Sequence, residues 1–310
     1  MTTTLDIVDF HTHLWPPEWG PGGAKSKPSS AISPDIHRRI ADPQALLDEF
    51  AAAGVNLAVV STTIESLFGV SGDTDGKVIA GVNDWLAGLV SAHPGKLAAV
   101  ATIDAFSGDA GAREAERALT DLKLSGIVID SSRRGLFLND PSVRPTLEVA
   151  ARHQAPIFVH PVGLPDPSIF IAGAGNLGNS LGRGLMNGVA FLSVLQSGLL
   201  DQLPELTLVF ATLGLGGIVQ AARGGKYGRD TIGGPKPSIY FDTMGDDPRI
   251  VRTLVDFFGE DRVLAGTDWP ILPALAAEKL GPSLSAAGLD ARQASLVAGG
   301  NARRLLRRPG

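Results

Sequence analysis

The chain has no cysteine, so it has no disulfide staple and offers no thiolate to a metal. No uninterrupted apolar run reaches the ~18 residues that a membrane-spanning helix needs. Positive charge is scarce too: 27 Lys and Arg stand against 32 Asp and Glu, a formal net charge of −5. No basic stripe marks a nucleic-acid footprint. The one basic cluster, Arg303, Arg304, Arg307 and Arg308, reads as the solvated face of a final helix. The opening residues, MTTTLDIVDF, have no basic region ahead of a long apolar core, so no secretory leader is expected. On these absences we expect a cytoplasmic protein with no membrane span and no nucleic-acid partner.

What is present is enough apolar material for one large core, 44% of 310 residues. Length alone suggests two domains, but alternating-strand barrels of this size commonly form one. Short β-branched runs alternate with amphipathic stretches. The runs lie at 5–10, 55–61, 97–103, 126–130, 156–160, 206–211, 238–242 and 262–266. Between them, Asp-Pro pairs at 42–43, 140–141 and 247–248 supply a cap followed by a residue suited to the first helical position. Gly54 suits the left-handed exit of the first of these helices. Eight strand–helix units predict an α/β fold, a (β/α)8 TIM barrel formed as a single domain over residues 1–310.

Chemistry collects at the strand ends. In order they carry His11 and His13, Glu65, Asp104, Asp130, His160, Thr212, Asp242 and Asp268, at the mouth where this fold places function. Residues two apart on a strand point the same way, so His11 and His13 present two imidazoles together. An imidazole set completed by one carboxylate suits a divalent metal, with zinc expected first and manganese second. The expected ligands are His11, His13, His160 and Asp268. Long connections at 163–188 and 223–238 are rich in glycine and are expected to act as lids over the mouth.

HTH at 11–13, FVHP at 158–161, LPELTLVFA at 203–211 and AGTDWP at 265–270 together resemble the amidohydrolase superfamily. More narrowly they resemble its branch of aminocarboxymuconate-semialdehyde and resorcylate-type decarboxylases. The likeness runs from Asp9 to Asn301. It implies a distorted barrel with one divalent metal, the same four ligands, and a homodimer as in known relatives. It also implies a carboxy-lyase acting on a small cyclic or unsaturated carboxylate. Hydrolysis of an ester, lactone or amide is the alternative, and a catalytically silent barrel used for binding is a third.

One position departs from that pattern. Where the family carries an acid/base histidine after its sixth strand, this chain has Thr212, whose hydroxyl takes no proton near neutral pH. Three readings follow: another mouth residue, Asp242 first and Asp130 second, carries the proton; the chemistry needs no such base; or the site only binds. For Asp242 the ordinary role is a strand-end residue bonded to the next loop. Asp268 serves as ligand and catalytic carboxylate. Trp15 and Trp269 follow ligand positions and either wall an aromatic pocket or pack the rim. Arg133, Arg134 and Arg223 offer bidentate partners for a substrate carboxylate, although solvated loop arginines are commoner.

Overall fold

The computed structural model describes residues 5–25, 33–224 and 238–306. Eight parallel strands form a nearly closed (β/α)8 barrel in the order β1-β2-β3-β4-β5-β6-β7-β8. They are β1 Val8–His13, β2 Leu57–Ser61, β3 Leu97–Thr102, β4 Gly126–Asp130, β5 Pro156–His160, β6 Thr207–Phe210, β7 Ser238–Asp242 and β8 Val263–Leu264. Most sit where β-branched runs predict them. β1 begins later than expected and continues through both histidines, while β8 is only two residues long. A two-stranded antiparallel hairpin, Ser132–Arg133 with Leu136–Phe137, follows β4.

By compactness the chain divides into two units: Met1–Thr62 with Gly81–Val100 and Asp242–Leu305, and Thr63–Ala80 with Ala101–Phe241 and Leu306–Gly310. In the first, Phe10 N donates to Ala265 O at 2.9 Å and His13 N to Trp269 O at 2.8 Å, which stitches β1 to the segment around β8. Its strands are buried from end to end, as strands covered on both faces must be. In the second, β4 to β7 pair in unbroken parallel register, and Phe191 stands edge-on to both Phe210 and Phe241 in its core.

Helix ends follow the local chemistry. Asp42 caps Pro43–Ala53 (α2) by accepting from Gln44 N and Ala45 N, and Gly54 closes it at φ 77°. Asp247 caps Pro248–Phe258 (α11) through Arg249 N. The third expected start differs. Asp140 accepts from both the N–H and the hydroxyl of Ser142, a local turn that competes with helix, and the helix begins only at Arg144.

The connection after β5 is a correction of a different kind. Instead of an irregular lid it holds two helices, Ser168–Ala174 (α7) and Leu177–Gln196 (α8). Its glycines serve close packing. A Cβ on Gly184 would lie 2.4 Å from Leu213 O, and one on Gly217, in Leu215–Arg223 (α10), would lie 2.6 Å from Gly188 Cα. The other expected lid, 223–238, lies largely outside the described residues. Among the described residues no helix is long and apolar enough to cross a membrane.

Candidate metal centre

The first unit brings both β1 histidines together with Asp268, though not by simple alternation. Between Asp9 and Thr12 the pairing advances three residues on β1 but two on β2. The resulting bulge beside His11 re-aims its side chain, a common device next to functional sites. The two Nε2 atoms end 3.1 Å apart with the rings at 89°. Asp268 Oδ1 lies 3.1 Å from His13 Nε2 and 3.5 Å from His11 Nε2.

The proton inventory shows what this convergence needs. Asp242 Oδ2 lies 2.5 Å from His11 Nδ1, and an ionised carboxylate only accepts, so Nδ1 carries the proton. Ser61 Oγ spends its single proton on Thr12 O at 3.1 Å. It also lies 2.9 Å from His13 Nδ1, and accepts there when Nδ1 carries the ring proton. With both rings neutral and protonated on Nδ1, each Nε2 would turn a lone pair toward the other and toward a carboxylate oxygen, an arrangement suited to a cation. Donors ~2.1 Å from a shared ion sit about 3.0–3.4 Å apart at octahedral or tetrahedral angles, close to the distances found. Asp242 and Ser61 stand where outer partners of imidazole ligands would stand, on the ring nitrogens away from the cluster.

His160 ends β5 in the second unit, in register with Asp130, buried and edge-on to Phe158 at 5.9 Å. Among the described residues, His11, His13, His160 and Asp268 form a group able to hold a metal ion. The donor set fits the expected divalent cation.

Charge at the cluster is tuned in two directions. Burial lowers His13, with Asp268 opposing it, which keeps the neutral ring that a metal requires. Burial works the same way on His11, but the carboxylates of Asp242 and then Asp268 outweigh it and raise the ring above its ordinary value. Burial pushes Asp9 up to about 7, against hydrogen bonds from Thr267 and the His11 backbone.

The remaining expected residues are placed as follows. Asp242 is fully buried and committed through Oδ2 to His11. Thr212 is buried at the start of a short 3-10 turn after β6. Trp269 is fully buried with Phe50 edge-on at 6.1 Å and the Arg39 guanidinium 5.2 Å from its ring, so it packs the rim. Trp15 sits edge-on to His37 at 5.7 Å. Arg133, expected to meet substrate, is 3% exposed and turned to the chain itself. It binds Gly69 O and Gly72 O and lies 3.9 Å from Asp104 and 3.7 Å from Asp130. Exposed Arg134 pairs with Asp73, and Arg223 is exposed at the end of α10.

Several partners escaped the sequence reading. Arg183 forks onto Glu65 at 2.7 and 2.8 Å and also donates to Pro161 O at 3.0 Å, tying α8 to the segment just past His160. Asp9, Ser61 and Thr267 were missed as well. The one available signal was Asp9 itself, an acidic residue two positions ahead of His11 in an apolar run.

Comparison with known proteins agrees with this geometry. The amidohydrolase family matches residues 8–308. The chain is 26% identical to 2-amino-3-carboxymuconate-6-semialdehyde decarboxylase of Dictyostelium discoideum, covering 85% of this chain and 81% of that one. Among solved structures it resembles 5-carboxyvanillate decarboxylase of Sphingomonas paucimobilis, with a TM-score of 0.78 and 23% identity over 98% of this chain and 100% of that one. It also resembles a dihydroxybenzoic acid decarboxylase of Polaromonas bound to manganese and 2-nitroresorcinol, with a TM-score of 0.74 and 18% identity over 97% of each chain. The chain belongs to the amidohydrolase family.

Proposed function

We propose that the chain is a metal-dependent carboxy-lyase for a small cyclic or unsaturated carboxylate, with residues 1–310 working as one catalytic domain. The observation that carries this reading is the convergence of two imidazole Nε2 atoms and a carboxylate oxygen within 3.5 Å. A divalent cation held by His11, His13, His160 and Asp268 would supply Lewis acidity toward substrate oxygens. Imidazole donors favour zinc, while manganese is the alternative carried by the Polaromonas relative.

In this reading Asp242 and Ser61 hold the two rings in their metal-ready tautomers. The C–C bond to the substrate carboxylate breaks, CO2 leaves, and the carbon left behind takes a proton. Thr212 cannot deliver that proton, and Asp242 is engaged with His11. Asp268 has the most exposed side chain of the three unit-one donors, at 17%, and is the carboxylate placed to hold and pass a proton. The decarboxylases among its relatives support the same reaction class.

Metal-loaded protein is expected to release CO2 from 2,6-dihydroxybenzoate or related hydroxybenzoates, with zinc or manganese near one per chain by elemental analysis. Replacing His11 and His13 together by alanine should remove both metal and activity. Metal-loaded protein that releases no CO2 across such a panel but cleaves esters or lactones would favour a hydrolase. Inactivity toward both classes would favour a silent barrel, the reading Thr212 supports. Two further proposals accompany this one: a cytoplasmic location, which cell fractionation checks, and a homodimer.

A further inference from the structure

We infer that Asp9 and Thr267 act as positioning residues that set the Asp268 carboxylate against the two histidines, and so set how tightly the cluster binds a divalent cation. The inference rests on the metal reading above and deepens it. Asp9 is fully buried on β1. Its Oδ1 accepts from His11 N at 3.1 Å, the N–H left over at the bulge, and from Thr267 N at 3.0 Å. Its Oδ2 accepts from Thr267 Oγ1 at 2.6 Å. One carboxylate thus holds the backbone of a ligand on β1 and the neighbour of a ligand past β8.

Asp268 needs such holding because its backbone sits at φ 68°, the left-handed region that a residue with a Cβ avoids. Such a conformation persists only where the surroundings over-determine it. Here every N–H of the turn is tied down. Thr267 N goes to Asp9, Asp268 N to His11 O at 2.7 Å, and Trp269 N to Thr267 Oγ1 at 3.0 Å. The Thr267 hydroxyl is the relay, donating to Asp9 on one side and accepting from Trp269 on the other. No sequence-level motif assigns either residue a role, yet between them they hold the turn that places Oδ1 near both Nε2 atoms.

Removing the hydroxyl while keeping the shape isolates this effect. Thr267→Val leaves Asp9 Oδ2 and Trp269 N without their partner, whereas Thr267→Ser restores both bonds. Titration of apoprotein with Mn2+ is expected to show dissociation constants ~10-fold or more weaker for Thr267→Val, the usual scale for an outer partner of a metal ligand. Thr267→Ser should stay within about 3-fold of wild type. In metal-free protein, amide hydrogen exchange at 267–269 should be fast in the valine variant and slow in the serine variant. Should Thr267→Val fail to fold, Asp9→Asn serves in its place. It keeps the acceptor for the two backbone N–H groups but turns a donor toward Thr267 Oγ1. A folded variant of either kind with wild-type Mn2+ affinity and wild-type exchange overturns the inference. Wild-type protein that binds Mn2+ no better than the His11→Ala/His13→Ala double variant overturns the metal reading instead, and the exchange data then judge the turn alone.

Discussion

Asp130 shows how much a single residue depends on its surroundings. It is almost fully buried at the end of β4, and burial followed by the nearby Glu65 carboxylate holds it well above the usual carboxylate range; Arg133 opposes this. A carboxyl raised in the fold binds its proton more tightly than in the unfolded chain. Its contribution therefore favours the fold at low pH and is lost as pH climbs through the raised value. Asp130→Asn keeps the shape and removes the titration. Its melting temperature relative to wild type is expected to climb as pH rises above the carboxylate range. Parallel melting curves from about pH 5 to 9 would show that Asp130 does not titrate this way. At this scale the sequence was partly legible. The candidate ligands stood out because each ends an apolar run. Their holders did not: Thr267 lies 258 positions from Asp9, and Arg183 lies 118 from Glu65, and only folding reveals such pairs.

Elements were more legible, because helix ends are decided by a few neighbouring residues. Asp42, Pro43 and Gly54 predict α2 and deliver it. Asp140 and Pro141 mislead because Ser142 satisfies the aspartate locally. Glycine in the connection after β5 suggested a lid loop, whereas the residues form helices and the glycine allows their close approach. A paired substitution tests that. Gly217→Ala drives a Cβ toward Gly188 and is expected to cost about 1–3 kcal/mol, as overpacking does. Gly216 has open space at its Cβ, so Gly216→Ala should be neutral or gain up to ~1 kcal/mol from helix propensity. Thermal or urea unfolding that ranks the two alike would refute the close-packing role.

For the whole molecule, the alternation of strand and helix was enough to give the barrel, since eight such units have few other ways to bury their apolar faces. What alternation leaves open is what the outer surface meets. Leu177, Leu181 and Leu185 recur every four residues along α8 and are half or more exposed, with Ile169 of α7 also exposed. Between 168 and 200 the only charged residue before Asp201 is Arg183, and it is spent on Glu65. A stripe without the usual charged cover is a candidate contact face. Light scattering after size exclusion is expected to give about twice the 32.2 kDa chain mass, and Leu181→Glu should return it to a monomer. A wild-type monomer at micromolar concentration would dismiss the homodimer.

The stitching of β1 to β8 has a consequence for how the protein is made. His11 meets Asp242 across 231 positions and Asp9 meets Thr267 across 258. A ribosome that has released the first histidines still has most of the chain to synthesise before their partners exist. Contacts this distant in sequence are slow to close, so a growing chain carries His11 and His13 without the groups that fix their tautomers. On the proposed ligand set, a metal ion would be captured only once synthesis has passed the final strand.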